Sequence, residues 1–258
     1  ASLAVACPGG GEKACSGRGF AAKACVGLTF EVNHRVALRA RNSHSILKEA
    51  LMQKTGTASR PSSRPWSRSR MLNVLIDDLS MPQLLEKLDS GVVFTLNLDH
   101  LYHLQRNRDF YDAYGQADFI TCDSKYVFWG LGWTGRRIQE TVSGSDLVPA
   151  YCAHHGQNPQ VRVFLLGAAP GIAQKALEAI NSRVGRDVVV KAHSPSMNFV
   201  NDEAEIAQTI GTINDSGATC LVIGLGAPKQ EIWIIKHRHL MPKVKVFMGV
   251  GATIDYEA

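Results

Sequence analysis

From Met71 onward, short apolar runs alternate with longer stretches in which apolar residues recur every three or four positions. The runs at residues 72–76, 92–97, 119–122, 161–166, 188–192, 219–223 and 244–248 read as strands. Most are apolar throughout rather than alternating, the signature of strands covered on both faces. Between them, helical periodicity marks residues 80–88, 99–105, 108–114, 124–129, 145–154, 172–183, 202–214 and 230–237. Local start signals support several of these. Ser80 precedes a first turn that tolerates Pro82, Asp99 and the Asp123-Ser124 pair open the next helices, and Ser145-Asp146 cap another. Strand and helix alternating at this spacing predict a Rossmann-like α/β fold, a parallel sheet with helices on both faces.

Residues 1–70 break this pattern. They carry Gly9-Gly10-Gly11, scattered alanine and cysteine, and a Ser/Arg/Pro stretch from Thr57 to Arg70, with no sustained apolar period. The expected division is a basic low-complexity extension at 1–70 and a folded domain at 71–258. The extension resembles an organellar transit segment, but reads more readily as sequence upstream of a start at Met71; a genuine disordered extension is the third reading, and none of the three gives it catalytic work. Charge follows the same boundary. The extension holds 12 Lys/Arg against 3 Asp/Glu, whereas the rest is acidic by four, so the net +5 of the 258 residues belongs to the extension. A nucleic-acid partner is therefore not expected. No run of about 18 apolar residues predicts a membrane-spanning helix. Cys122, Cys152 and Cys220 lie in apolar segments without a CxxC spacing and read as buried thiols.

Three strand ends carry polar groups. Thr95 and Asn97 close one strand, with Asp99 just beyond. Asp123-Ser124 follows another. The third is the turn Gly224-Leu225-Gly226-Ala227-Pro228-Lys229-Gln230-Glu231. Carboxyl ends of parallel strands share one edge, so these groups can converge there. The turn offers free N–H groups, a helix start, and at its rim a cation, an amide and a carboxylate. An anionic, hydroxyl-rich ligand such as a nucleotide sugar suits that chemistry. Transfer of the sugar needs a base for the acceptor hydroxyl and donors for the departing diphosphate. Asp123 is the candidate base. Each residue also has a structural reading: Asp123 as a helix cap, which the residues alone favour, Thr95 and Asn97 as a polar strand end, Glu231 as a helix-dipole partner, and Lys229 as a solvated turn residue.

Other chemistries fit poorly. The glycine turns at 167–171 and 224–229 lack dinucleotide-fingerprint spacing, so an NAD(P)-dependent oxidoreductase is only a weak alternative. There is no GxxxxGK[ST] segment. His100 and His103 share a helix face but have no third metal partner, and the body lacks an Asp-x-Asp diphosphate clamp.

Taken in order, the blocks at 95–100 (TLNLDH), 117–123 (ADFITCD), 142–147 (VSGSDL), 163–167 (VFLLG), 224–231 (GLGAPKQE) and 247–255 (FMGVGATID) resemble the WecG/TagA/CpsF family of bacterial glycosyltransferases. The resemblance covers about residues 71–258. It implies an inverting hexosyltransferase that needs neither metal nor cofactor. Such an enzyme moves a sugar such as N-acetylmannosamine from a UDP-sugar donor to a polyprenyl-diphosphate-linked acceptor in surface-polysaccharide synthesis. Asp123 would be the general base with Thr95 beside it as the second catalytic residue. Asn97, Gly167, Gly224, Gly226, Lys229, Gln230 and Glu231 would bind substrate. A cytoplasmic, peripheral location at the inner membrane face follows from the lipid-linked acceptor, and organellar targeting and a homo-oligomer are left open. Two departures bear on activity. Thr141 stands where the family usually has an arginine, leaving Arg136 or Arg137 as substitutes, and the family's basic membrane-docking C-terminal segment lies beyond Ala258. Both motivate an alternative in which the chain binds nucleotide sugars without turnover.

Overall fold

The computed structural model describes residues 64–258; residues 1–63, most of the predicted basic extension, lie outside the described residues. Its centre is a six-stranded sheet of β3 (Gly91–Leu96), β4 (Phe119–Cys122), β5 (Val163–Gly167), β6 (Val189–His193), β7 (Cys220–Gly224) and β8 (Val246–Gly249). The order is β4-β3-β8-β7-β5-β6 and every pairing is parallel. Successive residues alternate between two cores. Phe94, Phe164, Leu221 and Phe247 face one, and Val93, Leu165, Val222 and Met248 face the other. This two-sided burial explains the uninterrupted apolar runs.

Helices cover both faces. On the first lie α2 (Leu98–Leu104), α3 (Arg108–Tyr114), α4 (Lys125–Trp133), α7 (Glu203–Ser216) and α8 (Lys229–His237), which supply Leu101, Phe110, Leu131, Ile210 and Ile234 to the core. On the second lie α1 (Met81–Lys87), α5 (Gly144–His154), α6 (Ile172–Val184) and α9 (Thr253–Tyr256), which supply Leu84, Leu147, Ile180 and Ile254. The expected Rossmann-like α/β architecture is the one observed. Cys122, Cys152 and Cys220 are free and buried, as their apolar surroundings predicted.

Several local expectations change. Arg68–Met71 forms β1, which pairs antiparallel with β2 (Val74–Asp77), although its sequence has no apolar alternation. Side-chain bonds hold the hairpin instead. Buried Asp77 accepts hydrogen bonds from Trp66 Nε1 at 2.7 Å, from the Ile120 amide at 2.7 Å and from Arg64 at 3.3 Å, while Trp66 stacks on Phe119. Helix starts also differ by a residue or two. Asn97 rather than Asp99 caps α2, and Ser143 rather than Ser145-Asp146 caps α5, because these residues have the extended backbone that a capping side chain needs. Helix α4 runs through Gly130 and Gly132 to Trp133 instead of stopping before the glycines. Each glycine costs about 1 kcal/mol in a helix, a cost that burying Val127 and Leu131 offsets.

All six carboxyl ends share one edge, where backbones touch. A Cβ on Gly167 (φ +137°) would stand 2.3 Å from the Gly224 carbonyl oxygen, and one on Gly224 would stand 2.6 Å from that of Gly251. Only hydrogen fits between the ends of β5, β7 and β8. Gly167→Ala is expected to lower stability by about 3 kcal/mol, from overpacking together with the positive φ. Denaturant unfolding checks this, and an unchanged midpoint would contradict the close approach.

Candidate active site

Asp123 directly follows β4. Its amide extends the parallel ladder by donating to the Leu96 carbonyl at 2.7 Å. The cap of α4 falls to Ser124, whose Oγ accepts from the Val127 amide at 3.4 Å. The capping reading of Asp123 is therefore replaced: its carboxylate turns toward α5, where Oδ2 accepts from the Gly144 amide at 3.2 Å. Thr95, paired with Thr121 across the β3–β4 ladder, lies beside the Asp123 carboxylate and helps to lower its pKa. Partial burial raises the Asp123 pKa above the ordinary 3.8; the Gly144 amide and Thr95 pull it down, and Asp146 adds to the rise. A half-buried carboxylate held by a backbone amide and with a raised proton affinity is suited to accept a proton.

The helix start beside it depends on Gly144. A Cβ there would meet Thr253 Oγ1 at 2.6 Å and Val250 Cβ at 2.9 Å, so only glycine lets α5 approach the end of β8. Ser143 Oγ accepts from the Asp146 amide at 3.2 Å and donates to Asp146 Oδ2 at 2.6 Å, which fixes the first turn.

Other expected site residues fall into two groups. Thr95 is buried, with Oγ1 3.4 Å from the Gly249 carbonyl oxygen, and lies behind Asp123. Asn97 Oδ1 accepts from the His100 amide at 3.0 Å, so that oxygen is committed to capping α2. Gly167 and Gly224 are occupied in the backbone contacts described above. At Gly226 (φ +77°) nothing lies within 4 Å of a Cβ position, so its need is conformational and the space beside it is open.

The turn at 224–231 presents a different surface from the one its sequence suggested. Lys229 is exposed, but Gln230 and Glu231 are both fully buried. Gln230 Oε1 accepts from the Gly251 amide at 3.2 Å, and its Nε2 donates to Glu231 Oε1 at 2.8 Å. Behind them, His100 Nε2 stands 3.8 Å from Glu231 Oε1, and His100 Nδ1 shares a 2.6 Å hydrogen bond with the Tyr114 hydroxyl. The expected rim of cation, amide and carboxylate is thus only the cation. The other two belong to a polar chain running from α3 through α2 and α8 to the β8–α9 loop. Apolar residues of α8 beyond the turn, Trp233 and Ile234, face the core, and that rotation carries Gln230 and Glu231 inward. His100 is held in this chain while His103 pairs with Asp99 at 3.5 Å, so the two imidazoles do not converge. Among the described residues no group of three or more His, Cys, Asp or Glu is placed to hold a metal ion.

Sequence reasoning gave no role to Gly144, Gly251, His100 or Tyr114. The signal for the glycines was only their place within shared blocks. For His100 and Tyr114 it was a polar group on the apolar stripe of a short helix.

The doubly covered parallel sheet thus places a carboxylate, a helix start and glycine turns on its carboxyl edge, where open α/β sheets bind ligands. The model for "Glycosyl transferase WecG/TagA/CpsF family" matches residues 69–258. The chain belongs to that family. It is also similar to three proteins named N-acetylglucosaminyldiphosphoundecaprenol N-acetyl-beta-D-mannosaminyltransferase. One, from Bacillus subtilis strain 168, is 27% identical over 184 residues, covering 71% of this chain and 68% of the relative. Another, from Bacillus spizizenii strain W23, is 28% identical over 172 residues (66% and 63%). The third, from Staphylococcus aureus strain MRSA252, is 23% identical over 194 residues (72% and 73%). The alignments span roughly two thirds of the relatives' length. Family membership sets the oxidoreductase alternative aside.

Burial raises the Glu231 pKa from 4.5 to about 7, so the folded protein binds its proton more tightly than the unfolded chain does. Stability is then lost as pH rises from about 4.5 to 7, by an amount on the order of 3 kcal/mol. Glu231→Gln should flatten the stability profile across that window in thermal melts. An equally steep profile in the variant would contradict the assignment.

Proposed function

We propose that the chain transfers an N-acetylhexosamine, such as N-acetylmannosamine, from a UDP-sugar to a polyprenyl-diphosphate-linked N-acetylglucosamine, with inversion and without a divalent metal. The observation that carries this reading is Asp123: a carboxylate released from capping α4 by Ser124, with raised proton affinity, held against the start of α5. The acceptor hydroxyl attacks the anomeric carbon from the face opposite the nucleotide. The new C–O bond forms as the bond from that carbon to the diphosphate oxygen breaks. The hydroxyl proton passes to Asp123, and UDP leaves with the bonding pair. Thr95 and the Gly144 amide hold the carboxylate in line, so much of its effect comes from position. Gly226 and Lys229 flank the approach of the donor, Lys229 with its positive charge and Gly226 through its open backbone. The names of the relatives support the acceptor, and a lipid-linked acceptor supports a reaction at a membrane face, which we assign to the cytoplasmic side. The family resemblance supports UDP as the carrier.

A second reading, nucleotide-sugar binding without turnover, draws support from Thr141. Of the proposed arginine substitutes, Arg136 Nη1 donates to the Arg70 carbonyl at 2.9 Å, and both Arg136 and Arg137 line a groove beside α4. Calorimetry with UDP-sugars alongside a transfer assay separates the readings, since binding without product favours the second.

Asp123→Asn should lower kcat at least a thousandfold while leaving donor affinity within about threefold, the pattern of a group acting in the transition state. Undiminished turnover would remove Asp123 from the mechanism. In the wild type, activity should fall as the pH drops through the Asp123 pKa, on an acid limb above the ordinary 3.8. A limb at or below 3.8 would contradict the burial argument.

A further inference from the structure

Helix α4 starts two residues after Asp123, and much of its outer surface is aromatic. Tyr126, Trp129 and Trp133 are 69%, 52% and 87% exposed. They occupy positions i, i+3 and i+7, so they share one helix face. The rings of Tyr126 and Trp129 meet edge to face, with centroids 5.6 Å apart. Beyond the helix, Arg136 and Arg137 close a groove of about 430 Å³ against Trp129 and Trp133. The β1–β2 turn lies alongside: Met71 reaches Gly130, Arg136 binds the Arg70 carbonyl, and Leu72 at the tip is 60% exposed. From residue 124 to 138 the chain has Lys125, Arg136 and Arg137 and no acidic residue. The next acids are engaged, Asp78 by the Gln139 amide and Glu140 by the Met81 amide.

We infer that this face is where the protein docks on a bilayer bearing anionic headgroups. Three observations favour that occupant. Exposed tryptophan and tyrosine flanked by arginine match an interface whose outer layer is negatively charged and whose inner layer is apolar. A self-associating contact across a twofold axis would set the arginine clusters against each other with no carboxylate between them. The third rests on the lipid-linked acceptor proposed above. Its diphosphate lies at headgroup level, and a base one helix start away from the docking face is within its reach. The aromatic side chains would enter the headgroup region while Lys125, Arg136 and Arg137 meet lipid phosphates.

The test uses the full chain with vesicles of phosphatidylcholine, with and without phosphatidylglycerol, read by co-sedimentation and by tryptophan emission. Binding is expected to need the anionic lipid, to weaken with salt, and to be accompanied by a blue shift. The double variant Trp129→Ser/Trp133→Ser and the single variant Trp133→Ser should each bind more weakly, the double variant at least tenfold, with unchanged circular dichroism melts. Their transfer to a water-soluble short-chain diphosphate acceptor should match the wild type. Absence of vesicle binding by the wild type, equal binding by the variants, or loss of a dimer in place of lipid binding would each overturn the assignment. Failure of transfer to the soluble acceptor by the wild type would instead count against the proposed reaction, so the two claims fail separately.

Discussion

The arrangement of the site depends on the insertion of β8 between β3 and β7. Strands β3 and β4 form one parallel pair, and β5, β6 and β7 form a separate group. Among the described residues only β8 joins them, through ladders on both of its edges. Phe247 enters one core and Met248 the other, and each buried side chain contributes roughly 1.5–3 kcal/mol. Beyond the strand its backbone is held from several directions. The Val250 amide donates to the Ile223 carbonyl, Gln230 receives the Gly251 amide, and Thr95 meets the Gly249 carbonyl. The loop after β8 also sets how closely α5 can approach, since Gly144 rests on Val250 and Thr253. Asp123, from the first pair, and the turn at 224–231, from the second group, share an edge because β8 closes the gap.

Much of this architecture was legible in the sequence. Each sheet strand is a nearly unbroken apolar run, and each long helix has a clear apolar stripe, so the alternation and both-face burial could be read directly. Strand order could not, because it follows from which connections cross the sheet and leaves little trace in local periodicity. The β1–β2 hairpin was also hidden. Its first strand reads Arg-Ser-Arg-Met and gains its stability from Trp66, Arg64 and Ile120 converging on Asp77, a long-range arrangement that no short window reveals.

The site was legible in outline and wrong in orientation at one point. The residues alone favoured Asp123 as the cap of the following helix; Ser124 takes that cap instead, which leaves the Asp123 carboxylate to face α5. Gln230 and Glu231 looked like rim residues because they follow a glycine-proline turn. The apolar side of α8 instead turns them toward the core, where His100 and Gly251 await them. Burial raises the proton affinity of both acids, but they serve different ends. Glu231, fully enclosed with one oxygen lacking a partner, is costly to ionise and belongs to the scaffold. Asp123, half-buried and holding the Gly144 amide, keeps an ionised form with enhanced appetite for a proton.

The central claim is that the strand ends around Asp123, the start of α5 and the turn at 224–231 together form the donor site. Hydrogen–deuterium exchange of the protein with and without UDP tests it most directly. Slowed exchange concentrated at residues 95–97, 123–124, 142–146 and 224–231 is the expected result. Protection confined to the opposite edge of the sheet, around Asp89, Asn158 and Lys245, would contradict it.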